Sequence, residues 1–205
     1  MKITSLQVGP IMTNCYILCD EESRVCAVID PGDEPQRVEQ AIAATGCELC
    51  AIYLTHGHFD HCTGVRGLLQ LHPDVPVYIH EKDVIDKPGA DLKFFRLGEH
   101  NQRYYAEGDT LMLGSLTLTV WETPGHSEGS VCLLVDDVIF AGDTLFRCSC
   151  GRTDFPGGSY PAILHSLARL ARLEGNYTVY PGHESATTLD FERNHNPYMR
   201  QGLTL

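Results

Sequence analysis

Between positions 55 and 61 the chain reads Thr55-His56-Gly57-His58-Phe59-Asp60-His61, directly after the apolar run Cys50-Ala51-Ile52-Tyr53-Leu54. The apolar run has the character of a buried strand. His56 and His58 then fall just past its end, and at a two-residue spacing in extended chain they point to the same side. Thr63 to Leu69 carries apolar spacing compatible with a helix, whose first turn is expected to hold Asp60 and His61. A strand end and a helix start would thus aim four ligands at one point. Imidazole is the commonest protein ligand for zinc-like metals, with carboxylate its usual oxygen companion. The competing reading, polar loop residues without chemistry, leaves three histidines beside one strand terminus unexplained. Four donors saturate one tetrahedral zinc, so donors further downstream imply a second ion.

Such donors recur. Thr123-Pro124-Gly125-His126-Ser127 follows the strand-like Leu116-Thr117-Leu118-Thr119-Val120-Trp121, Val138-Ile139-Phe140-Ala141-Gly142 leads into Asp143, and Thr178-Val179-Tyr180-Pro181-Gly182 leads into His183. Each time a ligand type stands at the C-terminal end of an expected strand, after a small residue that lets the backbone turn. His126 or His183 alone would more often be a satisfied structural histidine; the recurrence favours one constellation.

These residues resemble the metallo-β-lactamase fold superfamily, whose mark is H-x-H-x-D-H followed by distant His, Asp and His. Within it the chain is similar to the glyoxalase II-like, hydroxyacylglutathione hydrolase-like enzymes of the short single-domain type. The likeness extends through Val8-Gly9-Pro10-Ile11-Met12-Thr13-Asn14-Cys15-Tyr16, Ala141-Gly142-Asp143-Thr144-Leu145-Phe146, Gly151-Arg152-Thr153-Asp154-Phe155-Pro156-Gly157-Gly158, Pro181-Gly182-His183 and Asn196-Pro197-Tyr198. It implies an α/β fold, an αββα sandwich, in one domain over residues 1–205. It assigns His56, His58 and His126 to one metal ion, Asp60, His61 and His183 to another, and Asp143 to a bridge between them. The implied cofactors are two divalent ions, zinc first, with iron or manganese as alternatives. The implied reaction is hydrolysis of a thioester such as an S-(2-hydroxyacyl)glutathione by a metal-bridging hydroxide, with Asp60 and Asp143 catalytic. Glu184-Ser185 departs from the pattern, since relatives carry a small residue after Pro-Gly-His. The chain stops 22 residues after His183, so the helical extension that binds glutathione in full-length glyoxalase II is expected to be absent, leaving another small ester or lactone as an alternative substrate. A second enzyme class, persulfide dioxygenase, shares the fold and would use one iron at His56, His126 and Asp143. A purely structural metal module and a secreted β-lactamase fit less well.

Arg152 is the candidate substrate anchor, because a planar guanidinium can hold a carboxylate bidentately. An internal ion pair with Asp154 is the equal alternative. Tyr160 and Tyr198 are further candidates near the pocket. A net charge of −12 argues against nucleic acid and anionic membranes as partners and leaves a small-molecule substrate. No stretch is apolar and long enough for a signal peptide or a membrane span, so the expected location is the cytoplasm. Nine cysteines, an odd number scattered through strands and turns, fit a reducing compartment. Cys47-Glu48-Leu49-Cys50 has redox spacing but reads as structural, and Cys148-Ser149-Cys150 follows Asp143 closely enough to face the site mouth, with a structural role favoured.

The remaining pattern predicts strands over Ile3–Val8, Cys15–Cys19, Val25–Ile29 and Val75–His80, a helix over Glu34–Ala44, and a short helix over Glu81–Lys87 broken by Pro88-Gly89. A strand-rich region runs from Tyr104 to Phe140, and a helix is expected over Tyr160–Leu173. Periodicity alone does not separate an αββα sandwich from a doubly wound sheet; the resemblance does. His72, His80, His100, His165 and His195 are expected to be surface or packing residues.

Overall fold

The strand Thr13–Asp20 is buried at every position, which requires cover on both faces of the sheet that contains it. Its side chains divide by the two-residue period. Cys15, Ile17 and Cys19 join a cluster with the helix residues Val38, Ile42, Val65 and Leu68, whereas Tyr16 and Leu18 join a second cluster with Leu118, Leu133 and Phe140 from another sheet. The computed structural model describes residues 1–85, 94–95 and 100–205.

In chain order the strands of the first half are β1 (Lys2–Val8), β2 (Thr13–Asp20), β3 (Val25–Ile29), β4 (Glu48–Tyr53), β5 (Val77–His80), β6 (Val84–Ile85), β7 (Phe94–Phe95) and β8 (Gln102–Tyr105), with helices α1 (Pro35–Thr45), α2 (Phe59–Cys62) and α3 (Val65–Leu71) between them. The second half holds β9 (Thr110–Leu113), β10 (Leu116–Glu122), β11 (Val131–Val135), β12 (Val138–Gly142), β13 (Leu145–Phe146), β14 (Ser149–Cys150), α4 (Tyr160–Ala171), β15 (Thr178–Pro181), β16 (Thr187–Thr188), α5 (Leu189–His195) and α6 (Pro197–Gly202). One six-stranded sheet runs β1-β2-β3-β4-β5-β8 and the other β16-β15-β12-β11-β10-β9. A third cluster packs Leu134, Ile139 and Val179 of the second sheet against Leu167, Leu170, Leu189 and Met199 of α4, α5 and α6. Helices therefore cover the outer face of each sheet and the inner faces meet, the αββα sandwich expected.

Two expected helices form differently. Asp60 and His61 belong to their own short helix α2, separate from α3. The chain is interrupted at Thr63-Gly64 because the Gly64 amide donates to the Pro31 carbonyl at 2.9 Å, and a Cβ there would lie 2.6 Å from that oxygen. The expected helix from Glu81 ends after one 3-10 turn at Asp83, and the β-branched pair Val84-Ile85 continues as a strand beside Phe94-Phe95. The rest of that expectation, at residues 86–89, lies outside the described residues. Two helices went unpredicted: α5 is capped by Thr188, whose side chain accepts from Phe191 N, and α6 by Asn196, with Pro197 in its first turn.

Candidate metal centre

β3 and β4 run parallel, so their C-terminal ends lie side by side. Asp30, just past β3, accepts at Oδ1 from the Thr55 amide (2.7 Å) and at Oδ2 from the Thr55 hydroxyl (2.6 Å). This clamp sets the start of the His56–His61 loop. The Thr55 carbonyl accepts from the Val131 amide of the other sheet at 2.8 Å, and the Tyr105 hydroxyl donates to the Leu54 carbonyl. On the second sheet the donors stand on three separate turns. Gly142, which precedes Asp143, has φ +46° and no room for a Cβ, which would lie 2.3 Å from Thr55 Oγ1. Gly182 brings the β15 turn so close that a Cβ would meet Asp143 Oδ1 at 2.2 Å and His61 Cε1 at 2.7 Å.

The seven expected donors arrive together. His56, His58 and His126 form one group whose ligand atoms lie within 4.8 Å of one another, and Asp60, His61 and His183 form another. Asp143 stands between them: Oδ2 is 3.4 Å from His126 Nε2 and 3.7 Å from His183 Nε2, and Oδ1 is 3.4 Å from His61 Nε2. Asp60 Oδ2 lies 3.4 Å from His61 Nε2 and 3.2 Å from His183 Nε2. Tetrahedral ligands at ordinary zinc–nitrogen distances are about 3.4 Å apart, so this spacing suits a shared cation.

On three of the rings the nitrogen that faces away from the centre is already satisfied. His56 Nδ1 lies 3.2 Å from Thr55 Oγ1; because that hydroxyl donates to Asp30, the ring must donate to it. His61 Nδ1 donates to Asp30 Oδ2 (3.0 Å), and His126 Nδ1 to the Arg152 carbonyl (2.8 Å). In the neutral rings these contacts fix the tautomers, leaving the Nε2 lone pairs of all three turned inward. His58 turns Nδ1 toward His126 Nε2, at 2.8 Å. His56 Nε2, His61 Nε2 and Asp143 Oδ1 are buried without any hydrogen-bond partner, an arrangement native proteins avoid unless a metal or similar group supplies the missing interaction. The donor set therefore fits divalent ions. Asp30 also lies within ligand reach of His56 and His61, but both its oxygens are occupied, which makes it an orienting acceptor.

The electrostatics differ between the two triads. Burial, reinforced by the surrounding imidazoles, holds His56 well below its ordinary pKa, and burial with His126 lowers His58 to about 4. Both are thus kept in the neutral form that ligates. Burial would raise the Asp60 and Asp143 carboxyls, but the neighbouring histidines outweigh it and hold both below the usual range. Against their own burial, His61 is pulled well upward by Asp143 and Asp30, and His183 upward by Asp60 and Asp143.

Of the other candidates, Arg152 realises the ion-pair alternative. Nε and Nη2 donate to the two oxygens of Asp154 at 2.6 Å each, and the guanidinium lies 4.0 Å over the Phe155 ring. Its contribution to the centre is the backbone carbonyl that holds His126. The Tyr160 hydroxyl donates to Gln201 on α6, and Tyr198 packs into the outer core. Cys47 and Cys50 pack into clusters on opposite faces of the first sheet, so they do not form a redox pair across one face. Cys150 packs beneath the outer helices, and its burial raises the thiol to about 11; Cys148 is exposed. His80 is buried and pairs with Glu122 at 3.0 Å. Sequence reasoning missed Asp30, Thr55 and Asp83, and also Phe155, whose ring stands edge-on to His58 at 5.5 Å.

An αββα sandwich with a three-His group and an Asp-His-His group at the strand ends of its two sheets defines a class of metal-binding folds, and comparison with known proteins places the chain within it. The model of the metallo-beta-lactamase superfamily matches residues 8–183, and the chain belongs to that superfamily. It is 34% identical to a probable metallo-hydrolase, YqgX, of Bacillus subtilis, over 97% of this chain and 98% of that protein. It is 32% identical to hydroxyacylglutathione hydrolase GloC of Haemophilus influenzae, with the same two coverages. Solved structures of similar shape include the BLEG-1 B3 metallo-beta-lactamase (TM-score 0.86, 30% identity, 97% of this chain and 99% of that one). ETHE1 from Myxococcus xanthus has a TM-score of 0.83 at 30% identity, over 96% of this chain and 84% of that one. TTHA1623 in a di-iron-bound form has a TM-score of 0.81 at 35% identity, over 95% and 99%.

Proposed function

We propose that the chain is a single-domain, binuclear metal-dependent hydrolase that cleaves a thioester, of which an S-(2-hydroxyacyl)glutathione is the model substrate. The observation that carries this reading is the doubled triad: His56, His58 and His126 are matched by Asp60, His61 and His183, with the Asp143 carboxylate facing both. A centre with one iron on His56, His126 and Asp143 would leave the second triad without a task. The likeness to GloC, named a hydroxyacylglutathione hydrolase, and to TTHA1623, solved with two irons, supports the same reading.

Two divalent ions, zinc or alternatively iron or manganese, would supply an acidified water and a Lewis acid for the carbonyl oxygen. The protein's part is orientation. Asp60 receives the Thr13 hydroxyl at 3.2 Å and is assigned the alignment of the attacking water. Asp143 holds the two halves of the donor set in register. Phe155 beside His58, and Phe146 edge-on to His183 at 6.1 Å, give the acyl group apolar walls. A thiolate leaves without a dedicated general acid, so the ligand set suffices for this substrate class.

The test is S-lactoylglutathione given to purified protein without oxygen, read as thiol released. Release of one thiol per thioester consumed is expected. Oxygen uptake with glutathione persulfide, together with no thioester cleavage, would replace the hydrolase by the dioxygenase alternative.

A further inference from the structure

Asp83 is fully buried, although it follows Glu81-Lys82 in a stretch that reads as surface. A buried carboxylate is costly unless its oxygens are well satisfied, and the donors that satisfy this one come from two different loops. Oδ2 accepts the Gly57 amide at 2.9 Å and the Ser127 hydroxyl at 2.6 Å, and Oδ1 accepts the Gly129 amide at 2.9 Å. Gly57 lies between His56 and His58 on the first sheet's loop; Ser127 follows His126 on the second's. The approach is tight enough that a Cβ on Gly57 would lie 2.3 Å from the Asp83 carbonyl oxygen.

The other triad is braced from elsewhere. Thr13 donates to Asp60. Asn14 Nδ2 donates to the carbonyls of Pro181 (3.0 Å) and Glu184 (2.9 Å), its backbone amide donates to the Gly182 carbonyl (2.7 Å), and the Tyr16 hydroxyl also donates to Pro181 (2.6 Å). All of these braces belong to β2, and none of them touches Asp83.

We propose that Asp83 is a positioning residue of the His56/His58/His126 triad, spanning the gap between the two sheets, and that Asn14 positions His183 of the other triad by holding the turn on either side of it. The centre would then carry one brace of its own on each side, with Asp30 common to both through Thr55–His56 and His61 and Asp143 between them. The inference rests on the reading of these donors as metal ligands and not on the choice of substrate.

The experiment is calorimetric titration of the metal-stripped protein with zinc, on wild type, Asp83→Asn and Asn14→Ala, with His58→Gln and His183→Gln marking which equivalent is which. Asparagine at position 83 keeps the shape but turns an amide N–H₂ toward a donor. The expected result is a loss of about 10–100-fold in affinity, confined to the equivalent that His58→Gln abolishes. Asn14→Ala should weaken the other equivalent. Parallel weakening of both equivalents in Asp83→Asn would overturn the proposal, as would lower thermal stability with both affinities intact. If Asp83→Asn does not accumulate folded, Ser127→Ala removes only the hydroxyl arm and is judged by the same criterion. A wild-type chain that bound one equivalent would instead defeat the binuclear reading, whatever Asp83 does.

Discussion

Asp143 faces His126 through one oxygen and His61 through the other, so its removal should cost more than the loss of any single-triad ligand. Asp143→Ala is expected to lower zinc content below two equivalents per chain by elemental analysis and to reduce kcat/KM for the thioester by more than about 100-fold, about 2.7 kcal/mol. Wild-type metal content and activity in that variant would remove the bridge from the scheme. Arg152 leads to a milder expectation. It is more than half exposed and bound to Asp154, a pair that solvent screens to little net stability, and the bond to His126 comes from its main chain. Arg152→Ala is therefore expected to change activity toward carboxylate-bearing and neutral thioesters to the same small extent. A loss restricted to the carboxylate-bearing substrate would instead support the anchor role. At this scale the candidate ligands were legible because four fall within the six positions 56–61 and three follow strand-like runs. Asp30 and Asp83 were not, because their partners lie 25 to 46 residues away and nothing local separates them from ordinary turn acids.

Among the elements, turns do more to shape the centre than helices do. At the end of β15, Gly182 lets the backbone pass against Asp143 and His61, and Gly182→Ala would force the added methyl to within 2.2 Å of Asp143 Oδ1. Overpacking of this kind costs about 1–3 kcal/mol. The variant should keep its far-UV circular dichroism yet titrate with fewer than two zinc equivalents; two equivalents at wild-type affinity would mean that the turn can yield. Strands were readable where alternation met a turn signal, as at Leu113-Gly114-Ser115 between β9 and β10, or where continuous apolar runs did, as at Asp136-Asp137 between β11 and β12. The break at Gly64 was not readable, since it depends on the Pro31 carbonyl, a contact the apolar spacing of α3 does not encode. α5 and α6 carried local signals, Thr188 and Asn196-Pro197, that are intelligible once their hydrogen bonds are known. One buried carboxylate, Glu192, accepts from Thr187, Cys148 and Asn196 and so ties β16, the β13–β14 hairpin and the α5–α6 corner together.

For the molecule as a whole, the sandwich was inferred from resemblance because strand and helix periods do not say which sheet a strand joins. The structure supplies a simple rule: every strand of one six-stranded sheet lies within residues 2–105, and every strand of the other within 110–188. Among the described residues no helix is long and apolar enough to cross a membrane. The rule also divides the donors, with His56, His58, Asp60 and His61 before the boundary and His126, Asp143 and His183 after it. A gene cut between β8 and β9, in the loop at Glu107-Gly108, would give two polypeptides that each carry one sheet, its helices and an incomplete set of ligands. Co-produced, they should reassociate through their apolar inner faces and yield thioesterase activity only when zinc is supplied, with chelation both silencing and dissociating the pair on size exclusion. Reassembly that ignored the metal would mean that sheet packing alone holds the halves together. If it follows the metal, the protein is by construction a split reporter, in which a divalent ion is what brings two gene products into one enzyme.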